Sequence, residues 1–113
     1  MSRRIRFGFQ LSGPHLADPV AAARRAEEIG FDVVLVSDHV GPGLSPMVTL
    51  GAVAAATERI RLGTLVLNHD MRNPVQLAWE AVTLDRLSGG RFELGLCAGH
   101  NPREYAAMGI DMD

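Results

Sequence analysis

A single cysteine, Cys97, is all that the chain carries. That excludes an intrachain disulfide framework and fits a reducing compartment. Long hydrophobic runs are missing too. No stretch approaches the roughly 20 apolar residues of a membrane-spanning helix. The opening segment, MSRRIRFGFQLSG, holds basic residues but no sustained apolar core before Gln10 and Ser12, so it does not read as an export signal. An excess of charge of one sign is also lacking: 11 Lys and Arg face 13 Asp and Glu, a formal charge of −2. They are mixed along the chain without the basic stripe of a nucleic-acid or membrane-surface binder. No HExxH helix and no HxH pair on the first strand is present, so no metal is expected. These absences leave a soluble, cytoplasmic protein that works on a small molecule, with neither nucleic acid nor membrane as partner.

What is present is ordinary globular composition, 47% hydrophobic over 113 residues, about one small domain. Val33, Val34, Leu35 and Val36 form an unbroken apolar run, three of them β-branched, which suits a strand buried on both faces. It leads directly into Ser37, Asp38 and His39. Three further strands are expected at residues 5–11, 61–67 and 91–96, each closed by turn residues. Between them lie helical stretches that open on a cap followed by proline: Asp18-Pro19, Ser45-Pro46, Asn73-Pro74 and Asn101-Pro102. The second is expected to run over residues 47–60. The third places Leu77, Ala81 and Leu84 on one face, with Trp79 assigned to packing outside the sheet. In the fourth, Glu104 stands at the third helical position, where a capping box would use it.

The resulting βαβαβαβ order, with a repeat of roughly 30 residues, calls for parallel strands joined by helical crossovers. A doubly wound nucleotide-binding sheet announces itself with GxGxxG after its first strand, and GFQLSGP does not supply it. An eight-fold barrel needs about 250 residues. The expected architecture is therefore α/β of the (β/α)8 barrel type with only its first four strands present. Such a half-barrel exposes edge strands and apolar interior. It would be closed by a second copy in a homo-oligomer, by another chain, or by a missing C-terminal half of a longer reading frame.

All four histidines, His15, His39, His69 and His100, fall just beyond strand ends. In a barrel those positions open onto one face, the face on which active sites are built.

The segments SDH at 37–39, ATERIRLGT at 56–64 and LDRLSGGRFELGLCAG at 84–99 together resemble the luciferase-like flavin- and deazaflavin-dependent oxidoreductases, particularly the branch that uses coenzyme F420. The resemblance covers essentially residues 1–113, as the N-terminal part of that family's barrel domain. It implies hydride transfer between F420 and a small organic substrate, with FMN and a monooxygenase reaction as the alternative. It further implies that His39 exchanges a proton with substrate and that Asp38 orients the imidazole or the cofactor. A non-proline cis peptide is implied at Leu65-Val66, flanked by Thr64 and Asn68, against the back of the ring system. Ala98, Gly99 and His100 are implied to line the same pocket, the small residues letting a flat ring approach. Relatives often carry glycine where Cys97 stands and an aromatic or acidic residue where His100 stands. Family members hold the cofactor's phosphate with loops of the barrel's second half. A reading of another class, a non-catalytic half-barrel that acts by assembly, also follows from the exposed edges.

Overall fold

Each helix begins on a proline, whose fixed φ and missing N–H suit the first helical position. The computed structural model describes residues 4–112. The helices are α1 (Pro19–Ile29), α2 (Pro46–Ala56), α3 (Pro74–Leu87) and α4 (Pro102–Met108). The strands are β1 (Gly8–Leu11), β2 (Val33–Val36), β3 (Arg61–Thr64), β4 (Leu67–Asn68), β5 (Phe92–Glu93) and β6 (Leu96–Cys97). Three expected caps form: Asp18 accepts from Ala21 N at 2.9 Å, Asn73 from Val75 N at 2.9 Å and Asn101 from Arg103 N at 3.1 Å. Ser45 does not cap α2 through its side chain; its carbonyl takes the Thr49 N–H and hydroxyl instead.

The four-stranded sheet has the order β1-β2-β3-β5, every pair parallel. Consecutive order without reversal separates it from a doubly wound sheet, in which the order turns back at a switch point. Contacts of α1 with α2 and of α2 with α3 place these helices on one face. Leu11, Val34, Val36 and Leu62 pack there against Ala23, Ala26, Leu50 and Val53. Across the other face Arg6 reaches from just before β1 to Glu93 on β5, with bonds of 2.6 and 3.0 Å. Arg61 binds the same carboxylate. In a flat sheet those edge strands lie about 14 Å apart, three strand spacings. The direct pair marks a sheet curled toward that face, as a barrel requires. The chain thus forms part of a (β/α)8 barrel. No helix among the described residues is long and apolar enough to cross a membrane.

Four expectations need correction. The first strand starts at Gly8, because the Phe7 N–H is taken by the Asp32 carboxylate at 2.9 Å and Ile5 and Phe7 stay exposed. The second helix stops at Ala56, short of Ile60. There the Thr57 hydroxyl bonds back to Val53 O. The Glu27 carboxylate collects the backbone N–H groups of Glu58, Arg59 and Ile60. The Arg91 guanidinium takes the carbonyls of Ala54, Thr57 and Ile60. Two long side chains thereby satisfy a helix end and loop that the local sequence leaves open. The expected third and fourth strands are each broken in two, with β4 pairing β6 beyond the break. Finally, Trp79 lies on the outer surface of α3 with 76% of its area exposed.

The Glu27 carboxyl loses solvation on burial, but the N–H donors of Ile60, Arg59 and Glu58 outweigh that and hold it below its usual value of 4.5. Arg6, against some burial and with help from Arg61, does the same for Glu93. Groups with lowered native values stabilise fully above the unfolded value and lose that contribution as pH falls through the native one. Unfolding midpoints in urea should therefore hold steady from pH 7 to 5 and fall below it. Glu27→Gln should cost about 1–3 kcal/mol at pH 7 and flatten the acid limb, read from the same titration.

Candidate functional site

Buried β2 ends by releasing Ser37, Asp38 and His39 at the C-terminal edge of the sheet, and their surroundings sort them. Asp38 is 8% exposed. Its carboxylate accepts from Asn68 N at 2.9 Å and from Arg72 Nη2 at 3.0 Å, with Arg72 Nη1 closing the fork. A bidentate guanidinium plus a backbone N–H is what a buried carboxylate needs to remain charged. Asp38 does not touch the imidazole beside it.

The carboxylate that does is Glu104, on α4. Its Oε1 lies 2.9 Å from His39 Nδ1. The expected capping-box return of Glu104 gives way to this contact across 65 residues. Glu104 is buried, while the His39 side chain is 44% exposed. An ionised carboxylate only accepts, so Nδ1 is the donor in this contact, and in the neutral imidazole it is Nε2 that keeps the lone pair. The imidazole is thereby equipped to take a proton at Nε2 and to return it. The His100 ring stands edge-on at 6.2 Å between centroids.

Beside Glu104, Tyr105 ties two loops to α4. Its hydroxyl donates to Asp70 Oδ2 at 2.7 Å and accepts from Gly99 N at 2.9 Å. Asn68 Oδ1 accepts from Asp70 N at 3.0 Å, whereas Asn68 Nδ2 is buried without a partner. Thr64 is buried in a reciprocal pair, its hydroxyl donating to Gly95 O and accepting from Gly95 N, both at 2.9 Å. The peptide between Leu65 and Val66 is cis, at the position that the resemblance implies. Leu65 is half exposed, Val66 partly buried and Ala98 exposed.

Gly99 has a different reason from the one expected. A Cβ there would lie 2.0 Å from Asn68 Nδ2 and 2.5 Å from the Tyr105 ring, so its missing side chain makes room for protein. His15 packs against Phe9 and His69 pairs with Asp70 at 3.0 Å; neither joins the His39 cluster. Among the described residues no group of three or more His, Cys, Asp or Glu is placed to hold a metal. Glu104, Tyr105 and Arg72 were missed by sequence reasoning. The only local signal was an acidic residue three positions after an Asn-Pro cap, and that signal has a second meaning.

A parallel, barrel-type sheet with an imidazole–carboxylate pair at its C-terminal edge defines the class as an α/β enzyme fold. The model of the luciferase-like monooxygenase family matches residues 4–113; the chain belongs to that family. It is 36% identical over 121 residues to 4-hydroxyprotoasukamycin monooxygenase of Streptomyces nodosus subsp. asukaensis, covering 96% of this chain and 33% of that one. It is 40% identical over 116 residues to the F420-dependent glucose-6-phosphate dehydrogenase of Beutenbergia cavernae, covering 94% and 34%. The crystal structure of the monooxygenase RslO1 from Streptomyces bottropensis superposes with a TM-score of 0.86 at 31% identity, covering 96% and 37%. The chain thus spans about a third of the length of the relatives it matches.

The Gly99 environment yields a direct check. Gly99→Ala should destabilise the protein by about 1–3 kcal/mol through overpacking, whereas Ala98→Ser next to it should stay within about 0.5 kcal/mol, both read from chemical unfolding.

Proposed function

We propose that this chain carries the proton-transfer half of an F420-dependent oxidoreductase site. The observation that supports it most is the 2.9 Å contact between His39 Nδ1 and Glu104 Oε1, which leaves Nε2 outside that pair on a side chain 44% exposed. The F420-dependent relative supports the choice of cofactor. The half-exposed Leu65 and partly buried Val66 of the cis bulge, with exposed Ala98, offer the apolar wall that a flat ring needs. Together with Thr64, Asn68, Gly99 and His100 they are the residues that would hold it. Thr64 and Gly99 serve from behind, since the Thr64 hydroxyl and the Gly99 N–H are already bonded within the protein. F420, when bound, supplies the acceptor or donor of hydride.

The rest falls to the chain's own groups. In the oxidising direction the substrate carbon gives up hydride, its O–H proton passes to His39 Nε2, and the C–O bond becomes C=O. In the reducing direction His39 returns the proton to the oxygen. Glu104 fixes the tautomer and balances the imidazolium that forms, the part a carboxylate plays beside a general-base histidine. Asp38 is a positioning residue, holding the loop on which His39 stands. We further propose that strands beyond β1 and β5, from a second copy or from further chain, complete the barrel and exclude water.

FMN and a monooxygenase reaction form the second reading, favoured by the two relatives that bear that name. Native mass spectrometry of the chain with F420 and FMN offered together separates the two. An assembly carrying F420 is the expected result; one carrying FMN selects the second reading, and a bare monomer overturns completion by a second copy and leaves further chain as the source of the missing strands. In the active assembly His39→Ala should lower kcat by about 10²–10⁴-fold while the affinity for F420 changes little. Unchanged turnover in that variant would remove His39 from the chemistry.

A further inference from the structure

We propose that Tyr105 is a positioning residue for the proton transfer at His39: its hydroxyl fastens α4 so that Glu104 stays on Nδ1, and thereby decides which imidazole nitrogen is free. The inference deepens the reading of His39 given above and rests on it for its effect on turnover.

Helix α4 has little else to hold it. At 7 residues it is too short to persist on its own backbone bonds, so tertiary contacts must fix it. Yet Ala106, Ala107 and Met108 are all exposed, and no apolar stripe docks the helix. Its buried residues are Glu104 and Tyr105. Among the described residues, the side-chain hydrogen bonds from α4 to the rest of the molecule run through these two.

The two residues are not equal anchors. Glu104 reaches His39 on a long, flexible side chain, and the imidazole that it meets is 44% exposed. That single contact has to order two mobile groups at once. The phenol is a rigid ring, 3% exposed, and it sits where a Cβ at Gly99 would come within 2.5 Å. Its hydroxyl uses both of its capacities, donating to Asp70 Oδ2 at 2.7 Å and accepting from Gly99 N at 2.9 Å. Asp70 is itself held, by His69 Nδ1 at 3.0 Å and through its own N–H by Asn68 Oδ1 at 3.0 Å. One oxygen atom therefore joins α4 to the segment after β4 and the segment after β6. Glu104 precedes Tyr105 in the same helical turn, so fixing the ring fixes the backbone from which the carboxylate extends. Which nitrogen of a neutral imidazole carries the proton is set by the hydrogen bond that the other part of the ring makes. The phenol thus acts on His39 through Glu104 without touching it.

The test reads the tautomer directly. In the full chain at about pH 8.5, some two units above the usual imidazole value, long-range 1H–15N NMR distinguishes the two ring nitrogens of His39. The unaltered chain should show Nδ1 protonated and Nε2 bare. Tyr105→Phe, which removes one oxygen and keeps the ring, should move His39 to a mixture of both tautomers. Asp70→Ala should do the same from the other side of the bond, and it decides by itself if Tyr105→Phe does not fold. Asp70→Asn keeps an acceptor for the hydroxyl and should keep the original pattern. Glu27→Gln, which costs stability at the end of α2, should leave the tautomer untouched, separating positioning from a general loss of stability. In the F420-loaded assembly Tyr105→Phe should lower kcat by about 10- to 100-fold, the cost of a displaced catalytic group, with KM little changed. An unaltered His39 tautomer in folded Tyr105→Phe, or an equal shift in Glu27→Gln, would overturn the role of Tyr105. A shifted tautomer with unchanged kcat would instead overturn the proton-transfer reading of His39 and leave the anchoring by Tyr105 standing, so the two failures are distinct.

Discussion

The buried carboxylate of Asp38 is the constraint on which the upper end of this structure depends. A charge removed from water must be fully paired or it is strongly destabilising. Its partners, the Arg72 guanidinium and the Asn68 N–H, sit on the segment that follows the break after β3. Satisfying Asp38 therefore locks the end of β2 to the end of β4. Asn68 then reaches Asp70, Asp70 meets Tyr105, and Tyr105 holds Gly99. Glu104, one residue before Tyr105, returns to His39, one residue after Asp38. The bonds form a closed circuit through three strand ends and one helix. Removing any member other than Glu104 loosens the imidazole without touching it.

The two ends of the sheet divide the work. At the lower end Glu27 and Arg91 gather backbone groups around the end of α2, and Arg6, Arg61 and Glu93 tie the outer strands across the curled face. None of these groups approaches the histidines at strand ends. Barrels separate stability from chemistry in this way because the strands' C-terminal ends carry the longer, variable loops. The stability of this chain should accordingly follow its acidic residues at the lower end, while its chemistry follows His39 and Glu104.

Local physical rules carried much of this. The unbroken apolar run of β2, the cap-plus-proline starts at Asp18, Asn73 and Asn101, and the position of His39 depend on residues within one turn or one strand, and were legible. The premature end of α2 was not, because it is imposed by Glu27 and Arg91 from more than 30 residues away. The breaks in the third and fourth strands were not read from pattern either: residues 61–67 keep their β propensity through the cis peptide, and only the Thr64–Gly95 pair shows where each ladder stops. At the site, adjacency misled. Asp38 is the sequence neighbour of His39, but its carboxylate is taken by Asn68 N and Arg72, and the carboxylate that reaches the ring comes from α4. Gly99 likewise read as room for a ligand when it is room for Asn68 and Tyr105.

Every bond that orients His39 is contained in this chain: the tautomer is set by Glu104, Glu104 by α4, and α4 by Asn101 and Tyr105. Orientation therefore does not wait for the barrel to close. Exclusion of water does, since the imidazole is 44% exposed and hydrophobic residues at the sheet's margins, Phe7, Leu94 and Leu96 among them, lie open. Preorganised groups act most strongly once solvent is shut out. The proposed reaction thus separates into two physical contributions: proton geometry, which these residues supply by themselves, and a low-dielectric enclosure, which must come from whatever covers the open edges of β1 and β5.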